Sequence, residues 1–141
     1  MENRRVSDED LELIRRAYRL WRAGDFEGLL ALCTDDVEWI PPSYLVGITG
    51  PQVGKDALRA GIEAYFESFE EFWPEPEEIL DGAEPGTYLA LVRTHTKGRG
   101  SGAEVTIDVA HFFTIRDHRV VRFQVIPDRL EARQVAGLDA D

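Results

Sequence analysis

The 141-residue sequence predicts an α+β domain in which a curved antiparallel sheet wraps over N-terminal helices to form a cone with an internal pocket. Apolar residues at helical spacing dominate the first half of the chain, and β-rich runs separated by turn residues fill the second, which is the segregated order of an α+β fold. The pocket is suggested by one histidine. In V-T-I-D-V-A-H-F-F-T-I, residues 105–115, the period-2 pattern sets His111 on an apolar face with Ile107, Val109, Phe113 and Ile115. An ionisable side chain there either hydrogen-bonds inside a core or lines a cavity, because an unpaired polar group in apolar surroundings costs about 1–3 kcal/mol.

Taken in order, Ser7 with Asp10 reads as a weak capping box. Leu11, Ile14, Tyr18 and Trp21 then recur at spacings of three and four, predicting a helix over 7–22. Gly24 and Asp25 stop it, and Asp25 caps a short helix through Phe26, Leu29, Leu30 and Leu32. After Asp35-Asp36 the run V-E-W-I is strand-like until Pro41-Pro42 break it. The long segment from Pro41 to Gly54 fits either a binding loop or a rigid connection. Residues 55–69 carry Leu58, Ile62, Tyr65, Phe66 and Phe69 on one helical stripe, as core packing requires. Pro74 and Pro76 place strand 72–80 at an edge or with its bare side outward, because proline has no N–H to donate. Strands follow at 87–97, 103–115 and 119–127, the first two joined by K-G-R-G-S-G and the last two by the turn Asp117-His118, which leaves His118 solvated. Asp128 caps a final helix through Leu130, Ala132 and Val135.

Composition sets limits on function. The length suits a single domain over residues 1–141. A lone Cys33 excludes an internal disulfide and a thiolate zinc site, and a start lacking an apolar stretch points to the cytoplasm. The net charge is -11, and Glu63–Glu84 holds nine acids and no Lys or Arg, so nucleic acid is an unsuitable partner. No run is long enough to span a membrane.

Helix, G-D-F, short helix, D-D-V-E-W, loop, G-K-D-A-L, helix, then hairpins ending R-D-H-R-V-V-R-F and P-D-R-L-E-A resemble the SnoaL-like branch of the nuclear transport factor 2-like superfamily. The resemblance covers nearly the whole chain. It implies a cone with a deep pocket, dimerisation, and relatives that include polyketide cyclases, ketosteroid isomerases, epoxide hydrolases and dehydratases, beside pockets with no enzymatic role. Relative to ketosteroid isomerases, the base carboxylate position is Pro41, the buried acid position is His111, and the helix-one tyrosine falls at Ala17, one step from Tyr18. Relative to limonene-type epoxide hydrolases, Arg-x-Asp becomes Arg93-Thr94-His95 and the late aspartate becomes Val125. Scytalone-type dehydratases place two histidines on adjacent strands, similar to His95 and His111. Their helix-one aspartate is Arg22 here, and the neighbouring tyrosine is Trp21. The acid-base aspartate of the cyclases could match only Asp128, for which a helix cap is the preferred of the two readings.

This comparison gives an expected site. His95 and His111 would act as general base and general acid, with Arg93 holding an enolate or carboxylate. Trp39, Phe113, Phe123, Val125, Tyr18 and Trp21 would form apolar walls, with Tyr44 at the mouth. Periodicity alone cannot orient strand 87–97, because Leu89 and Leu91 oppose Ala90 and Val92; the resemblance places Arg93 and His95 inside. The expected function is a small-molecule pocket, with cofactor-independent lyase or isomerase chemistry on an apolar oxygenated substrate. The alternative is a non-catalytic binding module or dimeric scaffold. No metal or other cofactor is expected, since two histidines without a committed carboxylate or thiolate supply too few ligands. A homodimer is expected through the outer sheet face, where Ala110, Phe112 and Thr114 would lie exposed.

Overall fold

The structure, a computed structural model, describes residues 2–42 and 50–138; for residues 2–7 and Tyr65 it describes the backbone alone. Its elements are α1 (Glu2–Ala23), α2 (Phe26–Ala31), β1 (Cys33–Ile40), β2 (Gln52–Val53), α3 (Lys55–Ser68), β3 (Phe69–Asp81), β4 (Thr87–Gly98), β5 (Glu104–Arg116), β6 (Arg119–Ile126) and α4 (Arg129–Val135). The strands form one curved, unclosed sheet in the order β2-β1-β6-β5-β4-β3. Every neighbouring pair is antiparallel except β1 and β6. Those two run parallel because no hairpin joins them: the chain leaves β1, builds α3 and three long strands, and returns in the same direction.

Boundaries differ from the sequence expectation where local signals were masked. Strand β1 begins at Cys33, four residues before Val37, because the exposed Asp35 and Asp36 and a register shift between Cys33 and Glu38 hide the alternation. The Ser7–Asp10 spacing is not a helix start. Ser7 falls inside α1, and the Asp10 carboxylate is buried, accepting a hydrogen bond from the Tyr88 hydroxyl at 2.6 Å.

The inner face of the sheet packs against α1 and α3. Ile14 and Tyr18 of α1 and Leu58 and Ile62 of α3 meet Val37, Trp39, Val92, Val109 and Phe113 from the strands. Helix α3 comes so close to β1 that a Cβ on Gly61 would run into the Trp39 ring. At the sheet margin, Trp21 Nε1 donates to the Phe72 carbonyl at 2.8 Å, and Pro74 and Pro76 follow with no N–H to offer. The edge of β3 is thereby blunted against further strand addition, as the prolines predicted.

The outer face has its own cover. Leu89, Ala110, Phe112 and Ile126 form a second buried cluster with Ala132 and Ala136, from α4 and the residue that follows it. This corrects the expectation that Ala110 and Phe112 are exposed: Phe112 is only 8% exposed because α4 folds back across it. The surface argument for a dimer at that place is therefore removed. Among the described residues no helix is long and apolar enough to cross a membrane. The Asp117-His118 turn has both residues at positive φ, and the His118 side chain is 72% exposed, in keeping with a solvated turn.

Two predictions follow from these contacts. Asp128 accepts from the backbone N–H groups of Leu130 and Glu131 at 2.8 and 3.3 Å, so Asp128→Ala should cost about 1 kcal/mol, read as a lower melting temperature. Gly61→Ala should destabilise by about 1–3 kcal/mol through overpacking against Trp39, despite a helix-propensity gain of up to ~1 kcal/mol. A rise in its urea midpoint would show that Trp39 yields.

Candidate functional site

A cavity of about 90 Å³ lies between the helices and the inner sheet face. Its walls are almost entirely apolar, and the helical and strand periodicities explain who lines it. On α1 the three- and four-residue spacing turns Tyr18 and Trp21 inward together. On the strands, alternation presents Trp39 from β1, Phe72 and Pro74 from β3, Val109, His111 and Phe113 from β5, and Phe123 and Val125 from β6.

His111 is the ionisable wall residue with a buried polar partner. Its Nδ1 lies 2.8 Å from the Tyr18 hydroxyl, with the two rings nearly coplanar. The Phe123 ring stands edge-on at 4.9 Å, and Phe113 packs against both His111 and Tyr18. Burial in this apolar setting lowers the His111 pKa to about 3 and pushes the Tyr18 hydroxyl up, so both groups are neutral across the physiological range. The other ring nitrogen, Nε2, has no hydrogen-bond partner among the described residues. Nor is it one of the polar atoms sealed without a partner, which are Thr34 Oγ1 and Arg129 Nε. Cys33 also lines the cavity, and burial raises its thiol pKa to about 11, which leaves it protonated and a weak nucleophile.

The structure brings Tyr18, Trp21, Trp39, His111, Phe113, Phe123 and Val125 to this cavity, while Tyr44 lies outside the described residues. It sets Arg93 and His95 on the opposite side of the sheet. Across β4 and β5, His111 pairs with Ala90, and cross-strand partners share a face, so Ala90, Val92, Thr94 and Thr96 point inward and the odd-numbered neighbours outward. His95 is stacked on Trp73 at 4.1 Å with Nε2 2.7 Å from Glu75 Oε1; Arg93 donates to Asp108 at 3.3 Å and faces Glu77 at 3.7 Å. These polar partners explain the placement, since solvent and carboxylates hold the charge more cheaply than an apolar interior does. The two-histidine arrangement expected from the sequence is therefore not assembled.

Sequence reasoning missed Thr94, Phe72, Pro74, Leu29 of α2 and Leu32 just after it as neighbours of the cavity. Strand parity would have found the first three once one face of β4 was fixed. Among the described residues no three His, Cys, Asp or Glu side chains are grouped to hold a metal ion. No Asp, Glu, Lys or Arg lines the cavity among them, and the undescribed segment 43–49, S-Y-L-V-G-I-T, contains none of these residue types.

Comparison with known proteins fits this architecture. An NTF2-like protein of unknown function from Burkholderia pseudomallei superposes with a TM-score of 0.76 at 22% identity, covering 91% of this chain and 97% of that one. TerC, co-crystallised with polyporic acid, superposes at 0.76 with 21% identity, covering 92% and 98%. RV0760c from Mycobacterium tuberculosis, in complex with estradiol-17beta-hemisuccinate, gives 0.70 with 19% identity, covering 83% and 92%. At such identities these likenesses establish the fold alone. No curated protein is similar to the chain in sequence. The family of SnoaL-like domains matches residues 14–123, from the middle of α1 to the Phe123 wall of the cavity, and the chain belongs to that family.

Proposed function

We propose that the protein binds a small, largely apolar, oxygenated molecule in the inner cavity, with the Tyr18–His111 pair as its polar anchor. One observation carries this reading: a buried imidazole that lines an apolar cavity, with its Nδ1 held by Tyr18 and its Nε2 without a partner among the described residues. Structures of this fold carrying polyporic acid and estradiol-17beta-hemisuccinate support a binding role. At about 90 Å³ the cavity favours a compact ligand.

Binding is favoured over turnover. Lyase or isomerase chemistry by paired histidines needs a second acid-base group beside His111, and His95 is across the sheet with Glu75. His111 itself, with a pKa near 3, is a weak base at neutral pH. It suits hydrogen bonding to a ligand more than proton abstraction from carbon.

The proposal is tested by adding small cyclic ketones and phenols to the ¹⁵N-labelled protein. The Trp21 and Trp39 indole resonances should shift, and His111→Leu should weaken binding by at least tenfold, whereas His95→Ala should leave it within twofold. Shifts confined to Trp73 on the outer face would place the ligand elsewhere and refute the proposal.

A stability prediction accompanies it. The folded-state pKa of His111, about 3, lies below the ordinary 6.5, so between these values the unfolded chain binds the extra proton. The His111 contribution is complete above pH ~6.5 and is lost as pH falls toward 3, on the order of several kcal/mol. Urea unfolding at pH 7 and pH 4.5 should show a larger loss for the wild type than for His111→Leu. Equal losses would mean that His111 titrates normally.

A further inference from the structure

We infer that the ligand of this cavity is an uncharged hydrogen-bond acceptor, a carbonyl or ether, whose oxygen takes the N–H of His111 Nε2. The inference rests on the binding role proposed above and names the chemistry that the site selects. It follows from counting protons. Tyr18 and His111 share one hydrogen bond, and the pair has two possible arrangements. If the imidazole carries its proton on Nδ1 and donates to the Tyr18 oxygen, then the Tyr18 O–H loses its acceptor and the Nε2 lone pair lacks a donor. Two buried polar groups are then unsatisfied. If Tyr18 donates to Nδ1, the imidazole proton sits on Nε2, and that N–H, on a ring that lines the cavity and without a partner among the described residues, is the single group of the pair left over. The second arrangement costs less, so the cavity presents a donor.

What surrounds that donor restricts the charge of the ligand. A carboxylate would need a cation, but Arg93 is held outside by Asp108 and Glu77, and no Lys or Arg lines the cavity among the described residues. An ammonium would need an anion, and Asp10, the buried carboxylate of α1, is already engaged by Tyr88 and is not a wall residue. Apart from the neutral Thr94 hydroxyl and Cys33 thiol, the other described walls are apolar, including Trp39, Phe113 and Phe123, and leave a charged ligand without compensation. A neutral oxygen acceptor on an apolar frame satisfies the N–H and preserves the hydrophobic contacts.

Four probes built on one five-membered ring test the inference by NMR titration: cyclopentanone, its isostere methylenecyclopentane, cyclopentylammonium and cyclopentanecarboxylate. Cyclopentanone should bind at least tenfold tighter than methylenecyclopentane, and the two charged probes should not bind measurably. Long-range ¹H–¹⁵N correlation at pH 7 should show His111 protonated at Nε2. Equal affinity of the ketone and its isostere, or a proton on Nδ1, would overturn the acceptor inference while leaving the binding role intact. Failure of all four probes to shift the Trp21 and Trp39 resonances would overturn the binding role itself, and the inference with it. These readouts use the wild-type protein, so they hold even where His111→Leu fails to fold.

Discussion

One hydrogen bond between a buried hydroxyl and a buried imidazole, Tyr18 to His111, determines how the helix layer sits on the sheet. The partners are 93 positions apart in sequence and join α1 to β5 in the middle of the core. Apolar contacts around them supply most of the stabilisation but are non-directional, and a helix with several apolar residues could settle at more than one rotation. A buried polar pair tolerates far less freedom, since sliding or turning α1 would leave both groups unpaired at about 1–3 kcal/mol each. Asp10 with Tyr88, eight residues or about 12 Å earlier along α1, and Trp21 with the Phe72 carbonyl near its end, hold the same alignment. With α1 fixed at three points, the space between Tyr18, Trp21 and the strands is retained as a cavity and not closed by collapse.

The same constraint explains how much of the molecule was legible in the sequence. The stripe of α1, the Leu58, Ile62 and Phe66 part of the α3 stripe, the prolines of β3, the Asp117-His118 turn and the Asp128 cap are local signals that match the structure, whereas Phe69 already belongs to β3. The inward face of His111 was also legible, because Thr106, Asp108 and Thr114 mark the opposite face of β5 as the more polar one. Strand β4 was not, and the cause is structural: it is covered on both faces, by α1 and α3 inside and by α4 outside, so Leu89 and Ala90 are both fully buried. Two-sided burial erases the period-2 signal.

A second clue in β4 was nevertheless present. Arg93, His95 and Lys97 share one face and alternate with Thr94 and Thr96, and three basic side chains on one face mark the solvent side of a strand. Carboxylates of β3 and β5 oppose them there: Glu75 meets His95, Glu77 and Asp108 meet Arg93, and Glu70 meets Lys97. The similarity of His95 and His111 to a dehydratase pair pointed the other way, and register decided against it. A one-residue change of parity exchanges Arg93 and His95 for Thr94, turning a charged pocket into a neutral one.

That parity divides the electrostatics of the molecule between two faces of one sheet. Outside, partly exposed ion pairs are hydrated and contribute little to stability, at most ~1 kcal/mol each. Inside, the aromatic walls lower the basicity of His111 by denying its cation solvent and any counter-ion, so a residue that titrates near neutrality elsewhere stays uncharged here. Acid-base chemistry on this scaffold would require a carboxylate next to the imidazole to restore its basicity, and Thr94, on the inner face of β4, occupies one of the wall positions where such a group could stand. A hydroxyl at that position keeps the cavity neutral. Membership of the SnoaL-like family therefore leaves the activity open, and the side chains on the inner face are what support the proposed recognition of a neutral ligand over proton transfer.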